Sequence, residues 1–363
     1  NMPEQLNLSK PIYYYANQIY EYSYVKLIYS HLGGTFLVRK PNRKIRTKWY
    51  FRKSQRQLSK NPVFTEQPKI LVKNVNKIPF DLPGFIISNS NTIVQRKKDI
   101  TKAIFMGHGT GDKRYGGKAN ALESYDYHFI SGQKHMEKLK DSNIRIPENN
   151  IVKIGNARFD EIVNNNIDVT AYADYLGVQD RDRKTILYAP TWKWGAGTLH
   201  QYGYKFCQEL TKEYNLIIRP HYFDRKYIPK FKYWAKLKGL KHIYFSNPAN
   251  ILSNDTMFDF ALSNLLISDT SSILYEYLIT RNPIIIANTQ HVDLHNMPPE
   301  MDISTIAYHI GKKDNIIKVV ESVFAHHVSN NFEKMLHHCF YFNDGKSIER
   351  ISNFLSSTSL EKN

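Results

Sequence analysis

The chain has 363 residues, enough for two ordinary domains with a core each. Its 42% hydrophobic and 23% charged residues describe a globular protein and exclude a disordered one. A formal net charge of +17 calls for an anionic partner (nucleic acid, anionic lipid or a phosphate-rich substrate), and charge by itself does not choose among them. Cys207 and Cys339 are the only cysteines; they form neither a metal-ligand spacing nor a disulfide framework, which fits a reducing cytosol. No apolar run is long enough to cross a bilayer, and the N-terminus lacks a charged-then-apolar leader pattern. Met2 is the expected natural start.

Residues 11–16 read as a strand and 18–32 as a helix, which Gly33 and Gly34 end. Residues 35–38 read as the next strand. Between Glu21 and Glu66 there is no acidic residue, and cations from Arg39 to Lys60 flank Trp49, Tyr50 and Phe51. Cations around aromatic rings suit an anionic membrane interface, or single-stranded nucleic acid, or a solvated basic face with one buried aromatic edge. Strands are then expected at 85–88, 103–106, 127–130 and 151–154, with a helix over 158–164. After a polar stretch at 168–182 the pattern restarts, with strands at 185–189, 216–219, 242–245, 265–268 and 283–287. Short strands alternating with helices predict parallel α/β sheets. The fold class is α/β, with two Rossmann-like domains facing across a cleft and ligands at the carboxyl ends of the strands. Boundaries are expected at 1–172, 173–345 and, for a C-terminal helix and tail, 346–363.

Four segments follow predicted strands. Gly107-His108-Gly109-Thr110-Gly111-Asp112-Lys113 lets the backbone approach a ligand, with Thr110 and Lys113 able to meet phosphate. His108 there is a candidate general base, since imidazole titrates near neutral pH. The spacing is not that of a nucleotide-binding P-loop. Arg219-Pro220-His221 offers a guanidinium fork and an imidazole donor for oxygens that gain charge as a bond breaks. Ser268-Asp269-Thr270-Ser271-Ser272 precedes a predicted helix over 273–280, whose start is expected to bind phosphate, with Glu276 one turn on to accept from a ribose. Tyr188-Ala189-Pro190-Thr191-Trp192 reads as a strand end turning into a loop.

In this order the segments resemble those of the CDP-glycerol glycerophosphotransferases of teichoic-acid and capsule synthesis. His108-Gly109-Thr110-Gly111-Asp112-Lys113 is similar to that family's His-Gly-Thr-Pro-x-Lys, with Gly111 for Pro. Gly155-Asn156-Ala157-Arg158-Phe159-Asp160 is similar to its Gly-x-Pro-Arg-x-Asp, with Ala157 for Pro. Residues 187–192 match Leu-Tyr-Ala-Pro-Thr-Trp throughout, and Arg219, His221, Ser268–Ser272, Glu276 and Asp344-Gly345-Lys346-Ser347 with Arg350 resemble its remaining elements. The resemblance covers about residues 100–352; residues 1–95 carry no matching motif.

The resemblance implies a GT-B type architecture and attack by an acceptor hydroxyl on the distal phosphorus of a CDP-polyol, with CMP leaving. It implies His108 as base, Arg219 and His221 as catalytic groups at the pyrophosphate, and Thr110, Lys113, Arg158, Thr191, Asp269, Ser271, Ser272 and Glu276 as substrate-binding residues. It implies no resident metal or cofactor beyond a diffusible Mg²⁺ carried on the substrate. The expected partners are CDP-glycerol or a similar CDP-polyol, an undecaprenyl-linked glycan acceptor, and an anionic membrane surface met through Arg39–Lys60. That places the protein peripherally at the cytoplasmic face of a bacterial membrane. Three other readings remain open: a sugar-nucleotide glycosyltransferase of the same fold, a basic nucleic-acid-binding protein, and a non-catalytic scaffold of the same fold that binds CDP-glycerol without turnover.

Overall fold

The computed structural model describes residues 9–53, 67–109, 115, 119–195, 197–269, 272–287 and 297–361. Among the described residues thirteen strands build two sheets, and every pairing between neighbouring strands is parallel. The first sheet holds β1 (Ile12–Tyr15), β2 (Thr35–Val38), β3 (Lys69–Val72), β4 (Gly84–Ser88), β5 (Thr101–Phe105), β6 (Tyr127–Ile130) and β7 (Ile151–Lys153), in the order 3-2-1-4-5-6-7. The second holds β8 (Thr185–Tyr188), β9 (Asn215–Ile218), β10 (Ile243–Phe245), β11 (Leu265–Ser268), β12 (Ile284–Ala287) and β13 (Tyr308–Ile310), in the order 10-9-8-11-12-13.

The central strands are buried along their whole length, as in Phe-Ile-Ile of β4 or Leu-Leu-Ile of β11, because helices cover both faces of a parallel sheet. Alternate residues supply the two faces. Tyr14, Phe36, Phe85 and Ile87 join one apolar cluster, while Tyr13, Tyr15, Leu37 and Ile86 join another. In the second sheet Leu187, Ile217 and Leu266 face one way and Ile186, Leu216 and Ile267 the other. Each sheet reverses its strand order beside its first strand, at β1/β4 and β8/β11, which is where an open α/β sheet leaves a crevice.

The two halves share a core. Tyr222, Ala249, Ile251 and Leu252 of the second half join the cluster formed by β1, β2, β4 and β5. The chain also crosses back: the helix Ser347–Ser357 packs Ile348, Ile351 and Leu355 into that same first-half cluster. Asp160 fixes the start of this helix, its carboxylate accepting from the Ser347 and Ile348 amides at 3.2 and 3.0 Å. Asp344 pairs with Arg350 through two hydrogen bonds at the surface beside it, and that contact holds the Asp344 carboxyl down to about 2. Gly132, just before the helix Gln133–Asp141, is another place where the halves meet. A Cβ there would lie 1.9 Å from the Cys339 carbonyl oxygen, so only glycine fits.

Several local expectations change. Residues 18–32 form a 3-10 helix, Ile19–Tyr24, followed by an α-helix, Lys26–Leu32, rather than one helix. The helix expected at 273–280 is α-helical over Ile273–Glu276 and 3-10 over Tyr277–Thr280. The polar stretch after residue 168 contains a helix, Val169–Leu176, capped by the Asp168 carboxylate on the Ala171 amide and ended by Gly177 at φ 81°. Of the basic stretch Arg39–Lys60, residues 54–60 lie outside the described residues, and most of the rest forms the helix Pro41–Lys53. In it Tyr50 and Phe51 are buried in the first-half core, while Trp49 and Ile45 are 53% and 71% exposed.

Candidate functional site

A cleft of about 420 Å³ lies between the halves. Its walls come from segments that follow the carboxyl ends of strands in both sheets, including those after β1, β4, β5, β8, β9 and β11.

On the first-half wall, His108 follows β5 and is partly exposed. Its Nδ1 lies 2.5 Å from the Asn89 carbonyl oxygen. A carbonyl only accepts, so Nδ1 carries the proton and Nε2 keeps its lone pair. The buried Glu21 carboxylate stands 3.9 Å behind the same Nδ1. Glu21 is itself fixed by the Asn17 amide at 2.9 Å and the Ser90 hydroxyl at 2.8 Å. Gly109 adopts φ +135°, and a Cβ there would come 2.9 Å from the Ser272 hydroxyl of the opposite wall. The glycine beside the base is thus required by the approach of the two halves.

On the second-half wall, His221 begins a 3-10 helix, Tyr222–Tyr227, and its Nδ1 accepts from the Phe223 amide at 3.3 Å. Its proton therefore sits on Nε2, the opposite tautomer to His108. Both imidazoles contact Tyr20, with ring centroids 6.4 Å away for His108 and 6.1 Å for His221. Arg219 enters the cleft from the end of β9, anchored through Nη1 to the Asp259 carboxylate at 3.0 Å, the Ser246 hydroxyl at 2.9 Å and the Asn254 carbonyl at 2.6 Å. Burial pushes the Asp259 carboxyl up, and Arg219 opposes it.

The floor is a buried set of charges joining the halves. Arg158 donates to Glu276 at 2.9 Å, with both side chains nearly fully buried, and its guanidinium lies 4.4 Å from the Tyr24 ring centroid. Burial pushes the Glu276 carboxyl up and Arg158 pulls it back. Lys26 pairs with Asp255 and donates to the Ile251 carbonyl at 3.2 Å. Burial would raise the Asp255 carboxyl, but Lys26 and Arg158 outweigh it and hold it below its usual value.

Glu161 sits beside these pairs, 3% exposed, with neither carboxylate oxygen hydrogen-bonded among the described residues. Burial pushes it up to about 7; Lys26 and Arg158 pull it down and Asp255 pushes it up. The folded protein therefore holds a proton on Glu161 between the ordinary carboxyl range and neutrality, where the unfolded chain has lost it. Stability from this residue is complete below the unfolded value and is lost as pH rises through about 7. Glu161→Gln is expected to flatten the fall in unfolding midpoint between pH 5 and 8, measured by thermal melts. An unchanged pH slope in the variant would show that Glu161 does not carry this titration.

Of the residues expected from sequence, His108, Arg158, Thr191, Arg219, His221, Ser272 and Glu276 come together around the cleft. Thr110, Lys113 and Ser271 lie outside the described residues. Asp269 differs from expectation. It is fully buried behind the wall, one oxygen accepting from the Thr191 amide at 2.8 Å and the other from the Thr198 amide and hydroxyl, each at 3.0 Å. It shapes the loop after β8 rather than lining the cleft. Glu276 lines the cleft but is also paired with Arg158, a partner the ribose reading did not include. Glu21, Tyr20, Lys138 and Asp259 belong to the site or its support and were not found from sequence. Glu21 and Tyr20 lie in the first 95 residues, where no motif marked them. Among the described residues no helix is long and apolar enough to cross a membrane.

The family model for CDP-glycerol:poly(glycerophosphate) glycerophosphotransferase matches residues 29–357. No curated protein matches the sequence. Among solved structures, a variant of the wall teichoic acid polymerase TagF superposes with a TM-score of 0.65 at 18% identity, covering 95% of this chain and 88% of that one. A structure of the same polymerase soaked with CDPG gives 0.62 at 18% identity, covering 95% and 87%. A UDP-GlcNAc 2-epimerase from Neisseria meningitidis, bound to UDP-GlcNAc, gives 0.58 at 13% identity, covering 96% and 100%. At these identities the structural matches establish the fold alone, a two-domain GT-B-like architecture. The family match spans most of the chain. The chain belongs to the CDP-glycerol:poly(glycerophosphate) glycerophosphotransferase family, and its activity is CDP-glycerol glycerophosphotransfer.

Proposed function

We propose that this family member moves glycerol phosphate from CDP-glycerol to a hydroxyl of a lipid-linked glycan in teichoic-acid or capsule-type polymer synthesis, releasing CMP. The observation that carries the mechanism is the pair of imidazoles in opposite tautomers against Tyr20. The acceptor hydroxyl gives its proton to Nε2 of His108 as its oxygen attacks the distal phosphorus. The bond from that phosphorus to the bridging oxygen breaks, and CMP leaves with the electron pair. His221, with its proton on Nε2, donates a hydrogen bond to the oxygen that gains charge, and Arg219 neutralises the phosphates. Asp259 and Glu21 act through their neighbours, holding Arg219 and His108 in place. The test is CMP release from CDP-glycerol with and without a synthetic lipid-linked acceptor. Release that needs the acceptor supports the reading; release from a UDP- or GDP-sugar instead would move the protein to sugar transfer.

The membrane surface is the second part of this reading. The helix Pro41–Lys53 carries Arg43, Lys44, Arg46, Lys48 and Arg52, and leaves Ile45 and Trp49 at the surface. Cations with exposed apolar side chains suit an anionic headgroup layer, with about 1 kcal/mol from each cation close to the surface. The expected result is retention on vesicles containing anionic lipid at low salt, weakened in Trp49→Ala and lost in high salt. Equal recovery with purely zwitterionic vesicles would refute it.

A further inference from the structure

The basic helix of the first half has a counterpart in the second. Between Asp224 and Asp255 the chain carries seven cations and no acidic residue. Both flanking acids are buried and engaged inward: Asp224 accepts from the Lys193 amide at 2.8 Å, and Asp255 holds Lys26. The cations Lys226, Lys230, Lys236 and Lys238 are exposed.

The centre of this stretch is the helix Ile228–Leu237. Its Ile228, Phe231 and Ala235 recur at helical spacing and are buried. Lys230, Tyr233 and Leu237 recur at the same spacing on the opposite face. That face meets solvent, with Tyr233 and Leu237 each 67% exposed. A single exposed apolar side chain is ordinary, but here two stand on one ridge among lysines. An anionic headgroup layer takes both kinds of group, phosphates meeting the ammoniums while aromatic and apolar tips sit at headgroup depth. A nucleic acid would meet the cations and leave Leu237 in water.

This helix begins beside the first-half one. Arg46, on Pro41–Lys53, donates to the Tyr222 hydroxyl at 3.4 Å, a contact between the two halves. The Arg225 guanidinium lies 3.9 Å from the Tyr222 ring centroid. Tyr222 opens the 3-10 helix Tyr222–Tyr227, which runs directly into Ile228–Leu237. The next residue, Phe223, is 39% exposed and lines the cleft. The two basic helices therefore adjoin at the cleft mouth, one from each half.

We propose that the second half makes its own contact with anionic lipid, through Lys226, Lys230, Tyr233 and Leu237, so that one lipid surface holds both halves beside the cleft mouth. The shared surface rests on the first-half membrane contact proposed above; the second-half contact does not.

The test uses the full chain and vesicles of phosphatidylglycerol in phosphatidylcholine at low salt. Lys226→Gln combined with Lys230→Gln should lower the partition onto these vesicles at least tenfold, since each cation near an anionic surface contributes a factor of about five. Tyr233→Ser combined with Leu237→Ser should lower it as well. None of the four residues lines the cleft, so CMP release with a soluble acceptor and no vesicles should keep its wild-type rate. A polarity-sensitive dye attached at Leu237→Cys gives a direct readout. Cys207 and Cys339 are buried, so the dye goes to the introduced thiol. Its emission should shift to the blue with anionic vesicles and stay unshifted with pure phosphatidylcholine. Unchanged partition in both double variants, or an unshifted dye on anionic vesicles, overturns the proposal whatever Trp49→Ala does. Weaker oligonucleotide binding with vesicle partition intact overturns it in favour of nucleic acid. If Trp49→Ala has no effect while the second-half variants release the protein, the first-half contact fails and the second-half contact stands. Weakening by both sets of variants is the result expected of one surface holding both halves.

Discussion

His108→Ala is expected to lower kcat for acceptor-dependent CMP release by about 10²- to 10⁴-fold, the usual contribution of a positioned base. His221→Ala should cost about 10²- to 10³-fold, the usual effect of losing one donor to a developing oxyanion. The tautomers separate the two roles more sharply than the magnitudes do. His221 is held with its proton on Nε2, so what it offers is an N–H. A glutamine amide also offers an N–H, and His221→Gln should recover part of the loss. His108 is held with Nδ1 on the Asn89 carbonyl, so what it offers is a basic lone pair. No glutamine atom takes a proton near neutral pH, and His108→Gln should recover nothing. Recovery in His108→Gln, or none in His221→Gln, would reverse or remove these roles.

Removing the anchor of Arg219 bears on the same chemistry. The guanidinium is placed by Asp259, which also accepts from Tyr172 and Ser246. These supports are separated in sequence by up to 87 residues. No local pattern could announce them.

How far the sequence could be read follows from what each feature depends on. Strands such as β4, β8 and β11 are continuous apolar runs bounded by turn residues, a pattern set within a few positions, and they lie close to where they were expected. β3 and β13 lie at sheet edges, where half-buried sequences such as Lys-Ile-Leu-Val and Tyr-His-Ile alternate too weakly to stand out. The segment Pro41–Lys53 carries cations around one aromatic cluster, a pattern that shows a basic face with aromatics but no helical period. Trp49, Tyr50 and Phe51 looked alike in sequence. Helical geometry sends the last two into the core and leaves only the first outside. At the site, residues within short motifs were legible because glycine, proline and hydroxyl side chains cluster there. Glu21 becomes a neighbour of the base, and Lys138 joins the lining of the same cleft, only when β1, β5 and β6 are aligned.

The largest stability effect is expected at Arg158 and Glu276. Removing one partner of a buried ion pair leaves the other without solvent or countercharge, at a cost of about 3–5 kcal/mol. Arg158→Met should therefore lower the unfolding midpoint more than Glu276→Gln, since glutamine keeps an oxygen for the guanidinium at 2.9 Å while methionine leaves the buried Glu276 with only the weaker help of Arg219 and Tyr24. The combination Arg158→Met with Glu276→Gln leaves no buried charge at this position, and its midpoint should lie above that of Arg158→Met by itself. Less-than-additive losses of this kind identify a coupled pair. The same variants decide what Glu276 does for the donor. If it chiefly accepts from a ribose, Glu276→Gln raises KM for CDP-glycerol and leaves the midpoint in place. With the Arg158 contact joining the two halves beneath the cleft, the midpoint is expected to move first, and KM to change in proportion to it. A raised KM with an unshifted midpoint would return Glu276 to the ribose and leave the pair with Arg158 a minor support.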